Sequence, residues 1–384
     1  MLHRQEAFVS NFPASSPSRA PRPRILVPGI LVVLIVALAG FGWMLLRPGP
    51  EGARPDRLVE ASELAPPTPL PPLVSGILHA GDARRVPEGW WVLDRRARLV
   101  HFLDTNLRLV GSFGGYGDAP GEFRMPAALG FRGDSLVVLD GGEVPVLHLF
   151  GPDAGLVRKE SVHVVGCDTF LATGILDAPI EPLHLLGTCT RLLPAPASGS
   201  VVVRVEDGGI GHLARGQLQV MNRGFPGAET AVGAGQGETT WVGNSSSPCL
   251  DRIGVQHDPT GVPSLCMAEW VGVRFSVDEL SARMGRSPGA ARLAEILGPM
   301  EWLPVMDRVF PHPEGVVLRR LSGLNVRELV HLRPDGSTTL LWSGLPESSW
   351  VGGDQVLVAW EGTEGMHLEI RQLHGEAQAL ASAR

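Results

Sequence analysis

The chain has 384 residues, of which 44% are hydrophobic and 19% charged, a composition that fits a globular domain with a sizeable core and excludes a disordered chain. A formal net charge of −7 and an isoelectric point near 6.0 leave no broad positive footprint, so nucleic acid is not an expected partner. Lys159 is the lone lysine among many arginines, a coding bias that says nothing about function.

Residues 1–24 are rich in Ser, Pro and Arg without periodicity and read as a short disordered cytoplasmic tail. Residues 25–46 carry no charge, and at about 1.5 Å per helical residue they reach about 33 Å, enough to cross a hydrocarbon core. This predicts a single transmembrane helix, a signal-anchor. Ala37-Leu38-Ala39 offers the alternative of signal cleavage and secretion, but the apolar run continues past it from Phe41 to Leu46. Arginines flank the span on both sides, so charge sets its orientation only weakly. Residues 47–72 contain a proline-rich run, Pro66, Pro67, Pro69, Pro71 and Pro72, that favours polyproline II geometry and reads as a linker or stalk.

From residue 73 to 384 the sequence repeats. Trp90-Trp91-Val92-Leu93-Asp94 and Leu136-Val137-Val138-Leu139-Asp140 are apolar strands of one design, spaced by about 46 residues, the length of a propeller blade. Six strand-turn-strand units are expected. Their turns are read at Asp104-Thr105-Asn106, Gly151 to Gly155, Ala214-Arg215-Gly216, Asp258 to Gly261, Arg333 to Gly336 and His374-Gly375, where Gly, Pro, Asn and Asp supply turn dihedrals at little cost. Two stretches look too long for a bare blade. Gly166 to Ser200 reads as an insertion, and residues 276–298 read as a small helical one, opened by a Ser276/Glu279 capping box and closed at Gly298. The expectation is an all-β, six-bladed β-propeller behind one N-terminal transmembrane helix.

The run Gly115-Tyr116-Gly117-Asp118-Ala119-Pro120-Gly121-Glu122-Phe123, then Pro126, then Leu136 to Asp140, then Leu147-His148-Leu149-Phe150, resembles the NHL repeat. The chain looks like the bacterial envelope proteins of that six-bladed propeller superfamily. The resemblance is good over residues 75–160, fair over 300–375 and poor between 166 and 300. It implies a ligand- or protein-binding platform, with a minority of enzymes such as lyases and lactonases. No catalytic residue carries over.

Cys167, Cys189, Cys249 and Cys266 form two close pairs, an even count that suits an oxidising compartment and places the C-terminal domain in the periplasm or outside the cell. None forms Cys-x-x-Cys, so metal ligation is disfavoured. Of the three possible connectivities, Cys167–Cys189 with Cys249–Cys266 is favoured; free buried thiols are the plain alternative. His101, His148 and His331 are read as recurring at equivalent blade positions, which repeated packing explains more simply than a ring of metal ligands. The glycines at 114–121 lack the Lys-Ser/Thr of a phosphate loop, and Asn244-Ser245-Ser246-Ser247 lacks a nucleophile elbow. No catalytic residue, cofactor or metal site is assigned.

Arg95, Arg96 and Glu143 fall in loops between strands, and Tyr116, Asp118 and Glu122 in the connector between blades. All six are expected on one face, making a candidate binding rim for a protein, peptide or glycan. The reading is a membrane-anchored, extracytoplasmic binding or scaffolding module. The alternative is a metal-dependent hydrolase or lyase of the cell envelope, for which three or more Asp, Glu, Asn or His side chains must converge at the channel mouth. A signalling sensor is weakened by the lack of a recognisable domain in the 24-residue tail.

Overall fold

The structure is a computed structural model that describes residues 57–60, 67 and 69–373, apart from 143, 177–181, 192–196, 216–218, 221–230, 237–238, 246–247, 254–264, 270, 275–305 and 323–325. The expected membrane span, the helical insertion at 276–298, the turns at 258–261 and 374–375, and Glu143 lie outside the described residues.

Among the described residues, six antiparallel sheets follow one another along the chain, each built from strands in simple up-and-down order. Blade one comprises Ala80–Val86, Gly89–Asp94, Leu99–Asp104 and Leu109–Gly114. Blade two comprises Pro126–Arg132, Ser135–Asp140, Val146–Phe150 and Leu156–Ser161. Blade three comprises Thr169–Ile175, Leu183–Arg191, Ala197–Val205 and Ile210–Arg215, with His163–Val164 and Gln219–Val220 as short additions. Blade four comprises Ala231–Gln236, Thr239–Asn244, Cys249–Ile253 and Leu265–Cys266. Blade five comprises Met306–His312, Gly315–Leu321, Arg327–Leu332 and Thr338–Leu345. Blade six takes Ser349–Gly352, Gln355–Glu361 and Met366–Gln372 from the end of the chain, and its outer strand, Leu73–Val74, from before blade one. This is a six-bladed β-propeller closed by strand exchange between its two ends.

The apolar second strands hold it together because alternate residues face opposite neighbours. Trp90 and Val92 pack into the cluster shared with blades five and six, through Trp350 and Val317. Trp91 and Leu93 pack toward blade two with Phe123, Leu129 and Val138. In blade two, Val137 and Leu139 then meet blade three through Phe170 and Leu185. A strand buried on both faces has no polar side to show, which is why these runs are continuously apolar. Each fully buried Val or Leu contributes about 2 kcal/mol from lost apolar surface.

The aspartate that ends each run fastens the connector from the preceding blade. Asp94 accepts the N–H groups of Leu78 (2.5 Å), Arg96 (2.9 Å) and Ala97 (2.8 Å). Asp140 accepts those of Arg124 (2.9 Å) and Met125 (2.5 Å). At the hairpins into the second strands of blades one and five, Gly89 (φ +155) and Gly315 (φ +140) are required twice over, since a Cβ would lie 1.9 Å from the Leu103 carbonyl oxygen and 2.2 Å from that of Leu332.

Disulfides join Cys167 to Cys189 and Cys249 to Cys266, 22 and 17 residues apart in sequence, and leave no free cysteine. The second crosses directly opposed residues of the outer strands of blade four.

Four expectations change. Gly166 to Ser200 is not an insertion: it carries the first two strands of blade three and the start of the third. Its inner strand, Thr169–Ile175, mixes Thr, Ala and Gly with its apolar residues and so hides from a hydrophobic pattern. Ala214 and Arg215 belong to a strand rather than a turn, and the chain reverses at Gly208 and Gly209 (φ +85 and +80). Within the proline-rich stretch, Arg57–Glu60 forms a strand, paired in parallel with Val271–Arg274. His331 is also out of step with His101 and His148. It opposes Val317, two residues after Gly315, whereas they oppose Val92 and Val138, three residues after Gly89 and Ser135. A one-residue offset turns a side chain to the other face of its sheet, and His331 accordingly packs against His312 at 4.2 Å between ring centroids.

Candidate functional site

The loops joining second to third strands and the connectors between blades open on one face. There the connector from blade one to blade two folds back on itself. Gly115 N–H donates to Arg98 O (2.9 Å), Phe123 N–H to Gly115 O (2.8 Å), and Glu122 N–H to Ala119 O (2.9 Å). Positive φ at Gly114, Gly115, Gly117 and Gly121 permits this path, and fully buried Phe123 anchors it.

This loop spends two carboxylates of the expected rim on itself. Glu122 turns inward to accept the Ala119 N–H (3.1 Å). Asp118 pairs with Arg124, which holds its carboxyl below the usual carboxylate range. Tyr116 stays 70% exposed, with the Arg98 guanidinium 4.2 Å over its ring. Arg96 is exposed. Arg95 leaves the group: its side chain drapes over Gly81, where a Cβ would come within 2.4 Å of it, and donates to Ala127 O (2.5 Å) at the channel mouth.

Two cavities meet at that mouth. One, of about 480 Å³, lies beside blades one and six, with Arg95, Ser348, Trp350 and Met366 in its wall. The other, of about 240 Å³, follows the channel between the inner strands of blades one to five. They share Arg308, Arg319 and Glu347. On the inner strands, a shift of register, at the start after Ala80, Pro126 and Met306 and mid-strand after Ala172, re-aims the residues that follow. Asp82 and Arg308 occupy the same position after the shift, and Asp82 Oδ1 accepts from Arg308 at 2.5 Å and from Arg84 at 2.8 Å. Asp82 Oδ2 accepts the Leu129 N–H (2.9 Å), so one carboxylate links blades one, two and five.

Asp82 is fully buried, and burial alone raises its pKa; Arg308, Arg84 and the Leu129 amide outweigh this and hold it at about 2. Burial likewise raises Asp307, and Arg319 and Arg327, each donating at 2.7 Å, bring it below the usual range. Arg319 also donates to the backbone oxygens of Glu347 and Ser349. Arg308 and Arg95 have lowered pKa values, burial being the main cause for both; Arg95 is exposed at its surface yet crowded enough to be desolvated. The far side of the channel offers small residues, Ala128, Gly174 and Gly233.

Sequence reasoning missed this arginine-rich channel. The available signal was charge inside otherwise apolar strands, Asp82-Ala83-Arg84 and Asp307-Arg308, near the start of each inner strand. Among the described residues, no three His, Cys, Asp or Glu side chains are placed to hold a metal ion. Asp82 and Asp307 are each engaged by two guanidiniums, a donor set that gives the metal-hydrolase reading no support.

No protein-family model matches the chain, and no curated protein matches it. Among solved structures it is similar to a protein described as exported, from Bacteroides fragilis, with 12% identity, a TM-score of 0.48, and 81% of this chain and 95% of that one covered. It is similar to a streptogramin B lyase at 10% identity and a TM-score of 0.41, covering 77% of this chain and 95% of that one. The WD40 repeats of RRP9 follow at 11% identity and a TM-score of 0.36, with 76% and 80% covered. Likeness this remote carries no functional argument, and the six-bladed architecture rests on the strand pairing itself.

Proposed function

We propose that this chain is a membrane-anchored extracytoplasmic binding module, tethered through residues 25–46, whose ligand enters the mouth between blades one, five and six. The observation that carries the reading is the pair of cavities meeting at Arg308, Arg319 and Glu347 on the face where the interblade connectors open. A volume of about 480 Å³ falls in the range of small-molecule sites. Two disulfides support an oxidising location. The rim of Arg96, Tyr116, Asp118 and Glu122 is the place where a protein, peptide or glycan partner would extend beyond the mouth; its internal pairing makes it a platform, with Tyr116 as the exposed anchor.

The test uses the full-length protein in detergent, incubated with a small-molecule extract of its host and examined by native mass spectrometry. The wild type is expected to retain an adduct of small-molecule mass, and Ser348→Trp, which fills the cavity, to lose it. A bare wild type, or an adduct unaffected by Ser348→Trp, overturns the reading. Placement is tested by alkaline phosphatase fused after Arg384, expected to be active because it folds only where disulfides form.

A further inference from the structure

The charge pattern of the cavity beside blades one and six narrows its ligand class, an inference that rests on reading this mouth as the binding site. Its wall carries three guanidiniums, Arg95, Arg308 and Arg319, against two carboxylates, Glu347 and Glu361. Arg319 is met by Asp307 and two carbonyl oxygens, and Arg308 shares Asp82 with Arg84. Arg95 donates to the neutral carbonyl of Ala127 and has no carboxylate at ion-pair distance among the described residues. Burial is the main cause of the lowered pKa of Arg95, with Asp82 and Glu347 attracting its charge and Arg308 repelling it. Trp350, 2% exposed and in the same wall, has a ring N–H without an acceptor among the described residues. Ala80, Pro346, Ala359 and Met366 add apolar surface beside the polar side chains of His79 and Ser348.

We propose that this cavity binds a monoanionic carboxylate with a compact apolar or aromatic body, the carboxylate received by Arg95 and Arg308 and the body lying against Trp350, Trp360 and Met366. A planar carboxylate matches the guanidinium fork. One negative charge balances three cations against two anions, whereas a phosphate dianion would be repelled by Glu347 and Glu361. Gly81 is part of the device, because any side chain there displaces Arg95 from the mouth.

The experiment titrates the full-length protein with phenylacetate, indole-3-acetate and cyclohexylacetate, their amides, and phenyl phosphate, read by tryptophan fluorescence and ligand-observed NMR. At least one acid is expected to saturate, with its amide and phenyl phosphate weaker by about tenfold or more, the loss of one charge-assisted contact. Arg95→Gln and Gly81→Ala should each weaken the acid by about tenfold while leaving the unfolding midpoint unchanged. The inference is overturned if amides bind as well as acids, if phenyl phosphate binds more tightly, if Arg95→Gln has no effect, or if no acid binds. Acids that bind equally well to Ser348→Trp would instead overturn the location of the site.

Discussion

Replacing Asp82 by Asn keeps the shape of the side chain and removes the charge that joins three blades. The consequence follows from its surroundings. Asp82 is fully buried, meets Arg308 at 2.5 Å and Arg84 at 2.8 Å, and accepts the Leu129 amide of the next blade at 2.9 Å. Breaking a buried pair from one side costs about 3–5 kcal/mol. The pKa gives a second measure: held at about 2, against 3.8 ordinarily, the carboxylate contributes roughly 2 kcal/mol. Asp82→Asn is therefore expected to lose about 2–4 kcal/mol at pH 7 in urea unfolding followed by tryptophan fluorescence. The pH dependence has a definite sign. Because the folded pKa is depressed, the contribution is complete above the ordinary pKa and disappears as pH falls from about 4 to about 2. The deficit of the variant should shrink over that window. A variant within about 0.5 kcal/mol of wild type at pH 7, or a deficit constant from pH 5 to pH 2, refutes the reasoning.

Gly89→Ala sets a Cβ against the Leu103 carbonyl and should cost more than about 2 kcal/mol, while Gly133→Ala, also at positive φ but facing open space, should cost about 1 kcal/mol; thermal unfolding of the two separates contact from conformation. Replacing Cys249 and Cys266 together by Ser should lower stability by about 3 kcal/mol in urea, and a loss below about 0.5 kcal/mol would show that blade four does not depend on its bridge. A chain beginning at Ser75 lacks the outer strand of blade six, so the Leu368 amide, which donates to Pro72 O, should lose hydrogen-exchange protection while those of Val137 to Leu139 keep theirs.

The propeller was legible because its second strands are buried on both faces: Val92-Leu93-Asp94 and Val138-Leu139-Asp140 show the apolar run and the connector-fastening aspartate together. The disulfide pairs were legible because both bridges are local, 22 and 17 residues apart in sequence. Blade three was not, since its inner strand mixes Thr and Gly among its apolar residues and its second strand, Leu183–Arg191, lacks the Val-Leu-Asp ending. His331 misled because Leu329-Val330-His331 copies Leu99-Val100-His101 in letters, while hairpin geometry sets the register one residue apart. Which rim residues stay free was not legible, because whether a charge is spent locally depends on contacts such as Asp118 with Arg124. The channel escaped because Asp82 and Arg308, an ion pair, are 226 residues apart in sequence.

The most direct test of the binding mouth is a photo-crosslinking amino acid placed at Ser348 in the full-length protein in living cells, with Leu340 on the outer strand of blade five as the control. The account predicts a small-molecule adduct at position 348, found by intact mass and reduced by Arg95→Gln, and none at position 340. No adduct at 348, or the same adducts at both positions, would contradict it.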